Sequence, residues 1–533
     1  MKRLRLAGLA VLIAAPVFAA TAAPPAPQSF GESIDVRVVN VEAVVTGSRG
    51  ERVRGLKAAD FRLLVDGKEV PVDYFTEVAA GQAAPPAAAP GSEAPAPAAA
   101  AAPGEPVGTN YLVYIDNQYS IVSARNIVLR RLAADLGRLG PRDRMAVVAF
   151  DGRKLDRLSD WTGDRQTLAR VFAAAEESVS FGLLALAERS SDDSDRELGV
   201  ESQAAAVGMG WGVGLGMRAV VAAMRGTPAP AGRKVLVFLN GGWGFPKVPQ
   251  PRRGAPRAVN FPQPELLLAP VYDTANLLGY TLYPVEVHGM MFSGSLSNDA
   301  SAMGPTPHDF ITSSYERSVH DNLEVMARET GGKAILNSAK LDLFARVAAD
   351  TSSYYWLGFT PQWRADGSRH DIRVEVRRPG LAVRSRSGFS DLSRETEAQV
   401  QAQSLLLYGG PGSDKPLAVT AGALRRVSFR VSELPVTVDI PADALTPQPA
   451  EGGWALTGTL SIALLEKGSE SPRWKTQPLR LMASTLPAVG STSQWQTVVK
   501  LPRSTDKILF ALGGEHGEVR AWTQLNLQSL RRE

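Results

Sequence analysis

The chain has 533 residues, enough for two to four domains at roughly 100–200 residues each, and its hydrophobic content of 44% is typical of proteins that bury a core. It contains no cysteine, which excludes disulfide bonds and cysteine-ligated metals. The formal net charge is +4, and loss of Lys2, Arg3 and Arg5 would lower it by three to +1, so charge gives no reason to expect nucleic acid or an anionic membrane as a partner.

The N-terminus has the pattern of a secretory signal peptide over residues 1–22. Three basic residues precede an apolar run at 6–18 that is too short to span a bilayer. Small residues at 17–19 and 20–22 offer cleavage sites. The pattern predicts a secreted or periplasmic protein that has no transmembrane segment once the signal is removed.

Residues 31–78 read as a β segment of short, partly alternating strands. Asp66-Gly67 separates two apolar runs and predicts a hairpin turn. Residues 79–109 are nearly all Ala, Pro and Gly. Such a stretch cannot bury enough side chain to offset its ordering entropy, so we expect a linker there.

Residues 110–352 alternate strand and helix patterns. Apolar runs predict strands at 111–115, 145–150, 235–239, 281–287 and 334–336. Helical spacing predicts helices at 128–139, 168–175, 205–225, 264–278, 317–330 and 340–350, with Thr162 and Asp164 as candidate caps of the second. Repeated βα units predict an α/β domain with a doubly wound, mostly parallel sheet and helices on both faces.

The remaining chain returns to strand patterns. Residues 353–390 alternate, and we expect them to pair with residues 31–78, because each segment alone is too small for a stable core. Residues 403–533 contain about seven short strands, including a hairpin at 510–519, and are predicted to form a C-terminal β-sandwich-like domain.

Several motifs occur in a characteristic order. They are VNVEAVVTGSRGERVRGLKAADFRLLVDGKEVPVDYF, YLVYID, AGRKVLVFLNGG, GYTLYPVEV, ARETGGKAILN, SSYYWLGFTP and RRPGLAVRSRSGF. This series resembles the family of von Willebrand factor type A (VWA)-related domains described in secreted acidobacterial proteins. The resemblance covers residues 34–76 and 110–390, about two thirds of the chain. It implies a VWA-like domain with flanking β segments.

The resemblance also implies where a metal would lie. VWA domains of the metal-binding kind hold one divalent cation at the carboxyl ends of the strands, through an Asp-x-Ser-x-Ser loop, a Thr and a second Asp, and bind partners through it. Here Asp116 and Ser120 match the first loop, but Gln118 replaces its first Ser. Asn240-Gly241-Gly242 stands where Thr-Asp-Gly is expected.

The second loop of the pattern lacks its Thr, so the remaining ligands would be one carboxylate and neutral oxygens. Mg²⁺ gives up its hydration reluctantly and needs charged ligands. We therefore expect a degenerate metal-ion-dependent adhesion site with no cofactor and no stabilisation by Mg²⁺ or Mn²⁺. The alternative is a weak Mg²⁺ site using Asp116 and Ser120. On this interpretation, Gly241→Asp with Gln118→Ser should restore metal-dependent stability.

Several other residues are candidates for binding or catalysis. Trp243 and Phe245 follow the strand at 235–239, and either form an exposed binding hot spot or fill the vacated metal site. The alternating glycines of helix 205–225 favour close packing on a sheet. Glu286 and His288 share a strand face and could form an acid–base pair, although a structural role is the usual one. The histidines form no His-Glu-x-x-His zinc pattern and no Gly-x-Ser-x-Gly elbow occurs, so we predict no catalytic residue and no enzyme.

The sequence thus predicts an exported, adhesion-type protein-binding module. Its binding face would be the loops at 116–120, 190–212 and 240–260, and its partner an unknown protein of the cell envelope. The candidate binding residues are Asp116, Gln118, Ser120, Asn240, Trp243 and Phe245. Two alternatives stay open: a structural envelope scaffold without a ligand site, and a weak hydrolase that uses Asp116.

Overall fold

A computed structural model describes the chain from residue 38 onward with gaps. The described residues are 38–79, 81–83, 107–182, 202–227, 229–241, 243, 264–287, 307–336, 342–363, 366–408, 417–467, 472–488, 490–513 and 519–527. They belong to one compact unit, Val38–Glu533. The predicted signal peptide, most of the predicted linker, Phe245, His288 and most of the loops at 190–212 and 240–260 lie outside the described residues.

The described strands and helices are numbered here in chain order. The strands are β1 (Val39–Thr46), β2 (Phe61–Val65), β3 (Lys68–Val70), β4 (Tyr74–Ala79), β5 (Gln82–Ala83), β6 (Thr109–Asp116), β7 (Arg144–Phe150), β8 (Leu155–Thr162), β9 (Arg233–Asn240), β10 (Tyr280–Glu286), β11 (Tyr354–Phe359), β12 (Arg369–Val376), β13 (Ala382–Ser385), β14 (Gly388–Ser390), β15 (Ala418–Ala421), β16 (Arg425–Arg426), β17 (Val431–Pro441), β18 (Thr446–Ala450), β19 (Gly453–Glu466), β20 (Arg473–Ala483), β21 (Thr492–Pro502), β22 (Thr505–Gly513) and β23 (Val519–Asn526). The α-helices are α1 (Val122–Ala134), α2 (Arg165–Glu177), α3 (Ser202–Gly226), α4 (Pro264–Leu278), α5 (Pro307–Glu329), α6 (Leu343–Thr351) and α7 (Arg394–Tyr408).

The α/β domain is a mixed five-stranded sheet covered by helices. Its strand order is β10-β9-β6-β7-β8. The first four strands are parallel, β8 runs antiparallel to β7, and Ile335 adds a parallel bridge to Val285. Residues of α3, α4 and α5 pack on one face, and residues of α1, α2 and α6 pack on the other. Strands buried on both faces explain the continuous apolar runs in the sequence.

Strand β8 was not predicted, because its sequence LDRLSDWT is mostly polar. It lies at the sheet edge, where only one neighbour is needed and polar side chains reach solvent. Helix α2 begins where the sequence indicated: Asp164 is its N-cap, and the carboxylate accepts the backbone N–H groups of Gln166 and Thr167. Helix α5 begins at Pro307, ten residues earlier than the periodicity indicated, with proline in the first-turn position that tolerates it.

The flanking β segments form two sheets that share one hydrophobic cluster. One sheet has the order β13-β1-β11-β4-β5 and the other β14-β12-β2-β3, so strands from both sides of the α/β domain interleave. The predicted hairpin between β2 and β3 is confirmed: Asp66 and Gly67 both have positive φ, 51° and 75°, as a two-residue hairpin turn requires.

The described ends of the segment predicted as a linker include strand residues. Ala79 closes β4, residues 82–83 form β5, and Thr109 opens β6, so these positions are strand rather than linker. Backbone pairing explains the difference, since alanine and glycine contribute hydrogen bonds to a sheet edge without adding an apolar signal to the sequence. Within the described parts of the chain, no helix is both long and apolar enough to cross a membrane.

Two buried ionic clusters join the α/β domain to the flanking β segments. Arg233 at the start of β9 donates to the Glu42 carboxylate of β1 and lies over the Tyr354 ring of β11, 4.3 Å from its centroid. Asp350 of α6 forms ion pairs with Arg52 and Arg384. Because these partners come from different sheets, the clusters fix how the sheets pack.

The C-terminal region contains two antiparallel sheets around one shared cluster. One sheet is built on β17 and the other on β19 and β22. Helix α7, which was not predicted, covers the outer face of the second sheet: Leu405 and Leu406 pack against Leu465 and Leu509. The helix also contacts α3, where the Gln401 side chain donates to the Arg225 carbonyl at 2.9 Å. This contact ties the C-terminal sheets to the α/β domain.

Candidate functional site

The α/β sheet has one topological switch point. From β6 the chain proceeds to β7 and β8 on one side, and β9 and β10 lie on the other. Open α/β sheets bind ligands in the crevice at the carboxyl ends of the strands where the order reverses. Asp116 ends β6 and Asn240 ends β9, so the structure brings these two predicted site residues together at that point.

The Asp116 carboxylate is fully buried and receives four protein hydrogen bonds. One oxygen accepts the backbone N–H groups of Gln118 and Tyr119, at 3.0 and 3.2 Å. The other accepts the Asn240 side-chain amide and the Trp243 indole N–H, each at 3.0 Å. A carboxylate offers about four lone-pair positions, so these donors fill them.

Trp243 is fully buried and covers Asp116. Its indole packs edge-on against Phe238 with 4.9 Å between ring centroids, and its backbone carbonyl accepts the Asn322 amide. A Cβ built on Gly216 of α3 would lie 2.9 Å from the indole ring, so a glycine of the alternating series provides the space that the ring occupies. Of the two interpretations of Trp243, the space-filling one applies.

The first loop keeps two buried oxygens that lack a hydrogen-bond partner among the described residues. They are the Ser120 hydroxyl and the Gln118 amide oxygen. Both are neutral, so they add no charge to the site.

Gly241 is enclosed by the same loop. A Cβ built on it would collide with the Tyr119 carbonyl oxygen and lie 2.6 Å from Ser120 Cα. A carboxylate at 241 would therefore displace the loop backbone. The prediction that Gly241→Asp with Gln118→Ser restores metal-dependent stability therefore requires this backbone to move.

A histidine that the sequence did not single out approaches the carboxyl end of β10. His320 Nε2 of α5 lies 2.9 Å from the Glu286 carboxylate, which is buried. The predicted partner, His288, lies outside the described residues. Glu286 pairs in register with Asn240, so its carboxylate belongs to the same edge of the sheet as Asp116.

Arg125, which the sequence did not single out either, holds the first loop in place. Its guanidinium is buried and donates to the Asn117 side chain at 2.6 Å and to the carbonyls of Glu176 and Ser178. Burial lowers the pKa of Arg125. The lone sequence signal is a charged residue within the apolar stripe of α1, between Ala124 and Val128. The contacts join the loop after β6 to the end of α2.

A cleft of about 610 Å³ opens beside this loop, between α2 and the β7–β8 hairpin. Its walls include the charged side chains of Asp151, Lys154, Asp156 and Arg170. The segment at 178–182 forms its rim and is bound to the first loop, since the Phe181 N–H donates to the Asn117 carbonyl at 2.8 Å.

Two apolar side chains of that rim face solvent. Val179 is 68% exposed and Phe181 is 38% exposed. Exposed aliphatic and aromatic side chains that border a cleft are candidates for a surface that a partner covers. The edge of the sheet thus offers an apolar rim and a largely apolar cleft with charged residues in its walls, next to a saturated, buried carboxylate.

No family model and no curated relative matches the sequence. Among solved structures, the chain is similar to the PilB minor pilin from Streptococcus sanguinis, at 11% identity and a TM-score of 0.24, over 47% of this chain and 64% of PilB. It is also similar to the vWF domain of the type V pili tip protein Mfa5 from Porphyromonas gingivalis, at 11% and 0.23, over 46% and 94%. The pilus adhesin SpaC from Lactobacillus rhamnosus GG matches at 9% and 0.25, over 79% and 53%. The chain therefore spans less than two thirds of PilB and about half of SpaC, and similarity at this level assigns neither fold nor function.

Proposed function

We propose that this chain is an exported, non-enzymatic protein-binding module built on a VWA-type α/β domain. The motif series supports the domain type, because YLVYID falls on β6, KVLVFLN on β9 and TLYPVE on β10. The observation that carries the binding role is the exposed rim of Val179 and Phe181 beside the cleft at the carboxyl edge of the sheet. The partner would be a protein of the cell envelope.

The proposed module binds without a metal bridge. The Asp116 carboxylate already has four N–H donors, and Trp243 covers it. An ion there would have to displace the indole or the Asn240 amide, and the two unpartnered oxygens of the described first loop, on Ser120 and Gln118, are neutral. This arrangement does not fit Mg²⁺, which prefers charged oxygen ligands and retains its waters.

Millimolar Mg²⁺ is expected to leave the melting temperature of the purified protein unchanged. A competent site at 100 times its dissociation constant would stabilise the folded state by about 2.7 kcal/mol, which a thermal melt detects readily. The measurement is a melt with increasing Mg²⁺. A melting temperature that rises with Mg²⁺ in the natural protein but not in Asp116→Asn would contradict the metal-free proposal and favour metal-bridged adhesion.

The exposed rim predicts that substituting Phe181 weakens partner binding. Phe181→Ser removes the exposed ring, and truncation of a central aromatic anchor typically weakens an interface by 2 kcal/mol or more, about 30-fold. We expect the amount of each envelope protein that the immobilised mature chain captures to fall by at least roughly tenfold. Quantitative mass spectrometry of the captured proteins measures the change.

Phe429→Ser is the matched control. Phe429 is also an exposed phenylalanine, at 65%, but lies in the bend between β16 and β17 and does not line the cleft. Capture should be unchanged in this variant. If Phe181→Ser and Phe429→Ser capture the same proteins in the same amounts as the natural chain, the cleft is not the binding surface and the envelope-scaffold alternative is favoured.

A further inference from the structure

A second cluster of metal-ligating side chains lies in the flanking β segments. Asp366, His370 and Asp391 place one ligand atom each within 4.8 Å of one another. Asp366 lies in the turn before β12, His370 in β12, and Asp391 directly after β14. The cluster is independent of the Asp116 site and of the binding role proposed above.

The imidazole of His370 is fixed by a third carboxylate, that of Asp66. His370 Nδ1 lies 2.8 Å from Asp66 Oδ2, and the other Asp66 oxygen accepts the Asp371 backbone N–H at 2.9 Å. The ring also stacks between Trp363 and Phe389, with centroids 4.9 and 5.2 Å away. A histidine that donates Nδ1–H to a carboxylate presents a lone pair on Nε2, which is how metal-ligating histidines are commonly held.

The free ring nitrogen points into the cluster. His370 is only 8% exposed, and its Nε2 is buried with no hydrogen-bond partner among the described residues. It lies 3.6 Å from Asp366 Oδ1 and 3.9 Å from Asp391 Oδ2. Both distances are too long for an N–H···O hydrogen bond, which spans about 2.7–3.2 Å.

The same distances approach those between two ligands of one metal ion. In a tetrahedral site with bonds of about 2.1 Å, neighbouring ligand atoms lie roughly 3.4 Å apart. A contraction of about 0.2–0.5 Å would bring the two distances from His370 Nε2 to that value, and all three ligand atoms lie within 4.8 Å of one another.

We propose that His370, Asp366 and Asp391 bind a divalent transition ion of the zinc class, with a fourth position left to water. One imidazole and two carboxylates form a ligand set that zinc accepts. The Trp363 indole N–H donates to Asp391 Oδ2 at 2.8 Å and orients that carboxylate. Asp66 is a positioning residue that acts through His370.

The ion would act as a structural crosslink. The Asp391 backbone is hydrogen-bonded to Ser368 and Gly367, and helix α7 begins three residues after Asp391. An ion there joins the turn before β12 to the chain that leads into the C-terminal sheets. A chain without cysteine has no disulfide available for this purpose.

The test uses the untagged full-length mature protein after removal of metals by a chelator. Titration with Co²⁺, followed by visible absorption, reports binding to nitrogen and oxygen ligands, and Zn²⁺ should displace the Co²⁺. We expect one equivalent to bind and the melting temperature to rise with Zn²⁺. His370→Asn should abolish binding. Asp366→Asn, whose side chain is half exposed and tolerates substitution, should weaken it strongly.

Two further variants separate ligation from folding. Asp66→Asn keeps a residue that tolerates the positive φ of the turn, but it loses the carboxylate behind the imidazole. We expect it to weaken Co²⁺ binding by about 10–100-fold. His320→Asn is the matched control and should bind normally. The proposal is overturned if the natural protein fails to bind Co²⁺ and Zn²⁺ at millimolar concentration. It is also overturned if Asp366→Asn and Asp66→Asn both bind Co²⁺ as the natural protein does.

Discussion

Trp243→Ala is expected to lower the free energy of unfolding of the α/β domain by roughly 3–5 kcal/mol, the usual cost of deleting a buried tryptophan side chain. The substitution empties the space between Phe238 and Gly216. It also removes one of four donors from the buried Asp116 carboxylate. The measurement is chemical denaturation followed by a probe in the α/β domain, because a chain with several domains need not unfold in one step.

Trp243→Phe is the control that separates volume from hydrogen bonding. Phenylalanine retains most of the apolar contact and loses the indole N–H. A hydrogen bond to a charged group contributes about 1.5–3 kcal/mol, so we expect the loss to fall in that lower range. If Trp243→Ala unfolds at the same denaturant concentration as the natural protein, the indole does not fill the space over Asp116, and the account of the metal-free site fails with it.

Asp350→Asn is expected to destabilise the chain by about 3 kcal/mol, which is a typical cost of removing one partner from a buried ion cluster. Asp350 accepts the Tyr283 hydroxyl at 2.7 Å and pairs with Arg384 at 2.5 Å and Lys333 at 3.0 Å, and also with Arg52. The variant leaves these cations without their shared anion. Because the partners span α6, β13 and the loop after β1, the loss should loosen the α/β domain from the flanking sheets.

The effect depends on pH in a defined direction. Burial by itself raises the pKa of Asp350, but Arg384, Tyr283 and Lys333 outweigh it and hold that pKa well below its usual value. The unfolded chain therefore takes up the proton first as the pH falls. The stabilisation by Asp350 is complete above the unfolded pKa of about 3.9 and is lost progressively below it.

The difference in stability between the natural protein and Asp350→Asn should thus be larger at pH 7 than near about pH 3. Asp160→Asn is the matched control. Asp160 pairs with Arg157 at 2.8 Å, but its side chain is 72% exposed, and exposed pairs contribute about 0–1 kcal/mol. Equal destabilisation by the two substitutions would contradict the role assigned to the Asp350 cluster.

Local patterns determined much of the architecture. The buried parallel strands gave continuous apolar runs because both of their faces are covered, and the Asp66-Gly67 turn was visible because a two-residue hairpin needs positive φ at both positions. Strand β8 and helix α7 are the clearest elements that were missed. Strand β8 is polar because it lies at an edge, and α7 is formed by a segment whose apolar face becomes meaningful only against the outer side of a β-sheet.

The candidate sites, too, were predictable from the sequence only in part. The family resemblance singled out Asp116, Ser120 and Gly241, since each belongs to a short motif within a single loop, at 116–120 and at 240–242. The sequence did not show which N–H groups donate to the Asp116 carboxylate or that the Trp243 indole is one of them. The packing of β6, β9 and α3 decides this. The contact between Asp66 and His370 joins residues 304 apart in the chain. No local period or spacing encodes such a pair, because the register between distant strands is decided by the cluster they bury together.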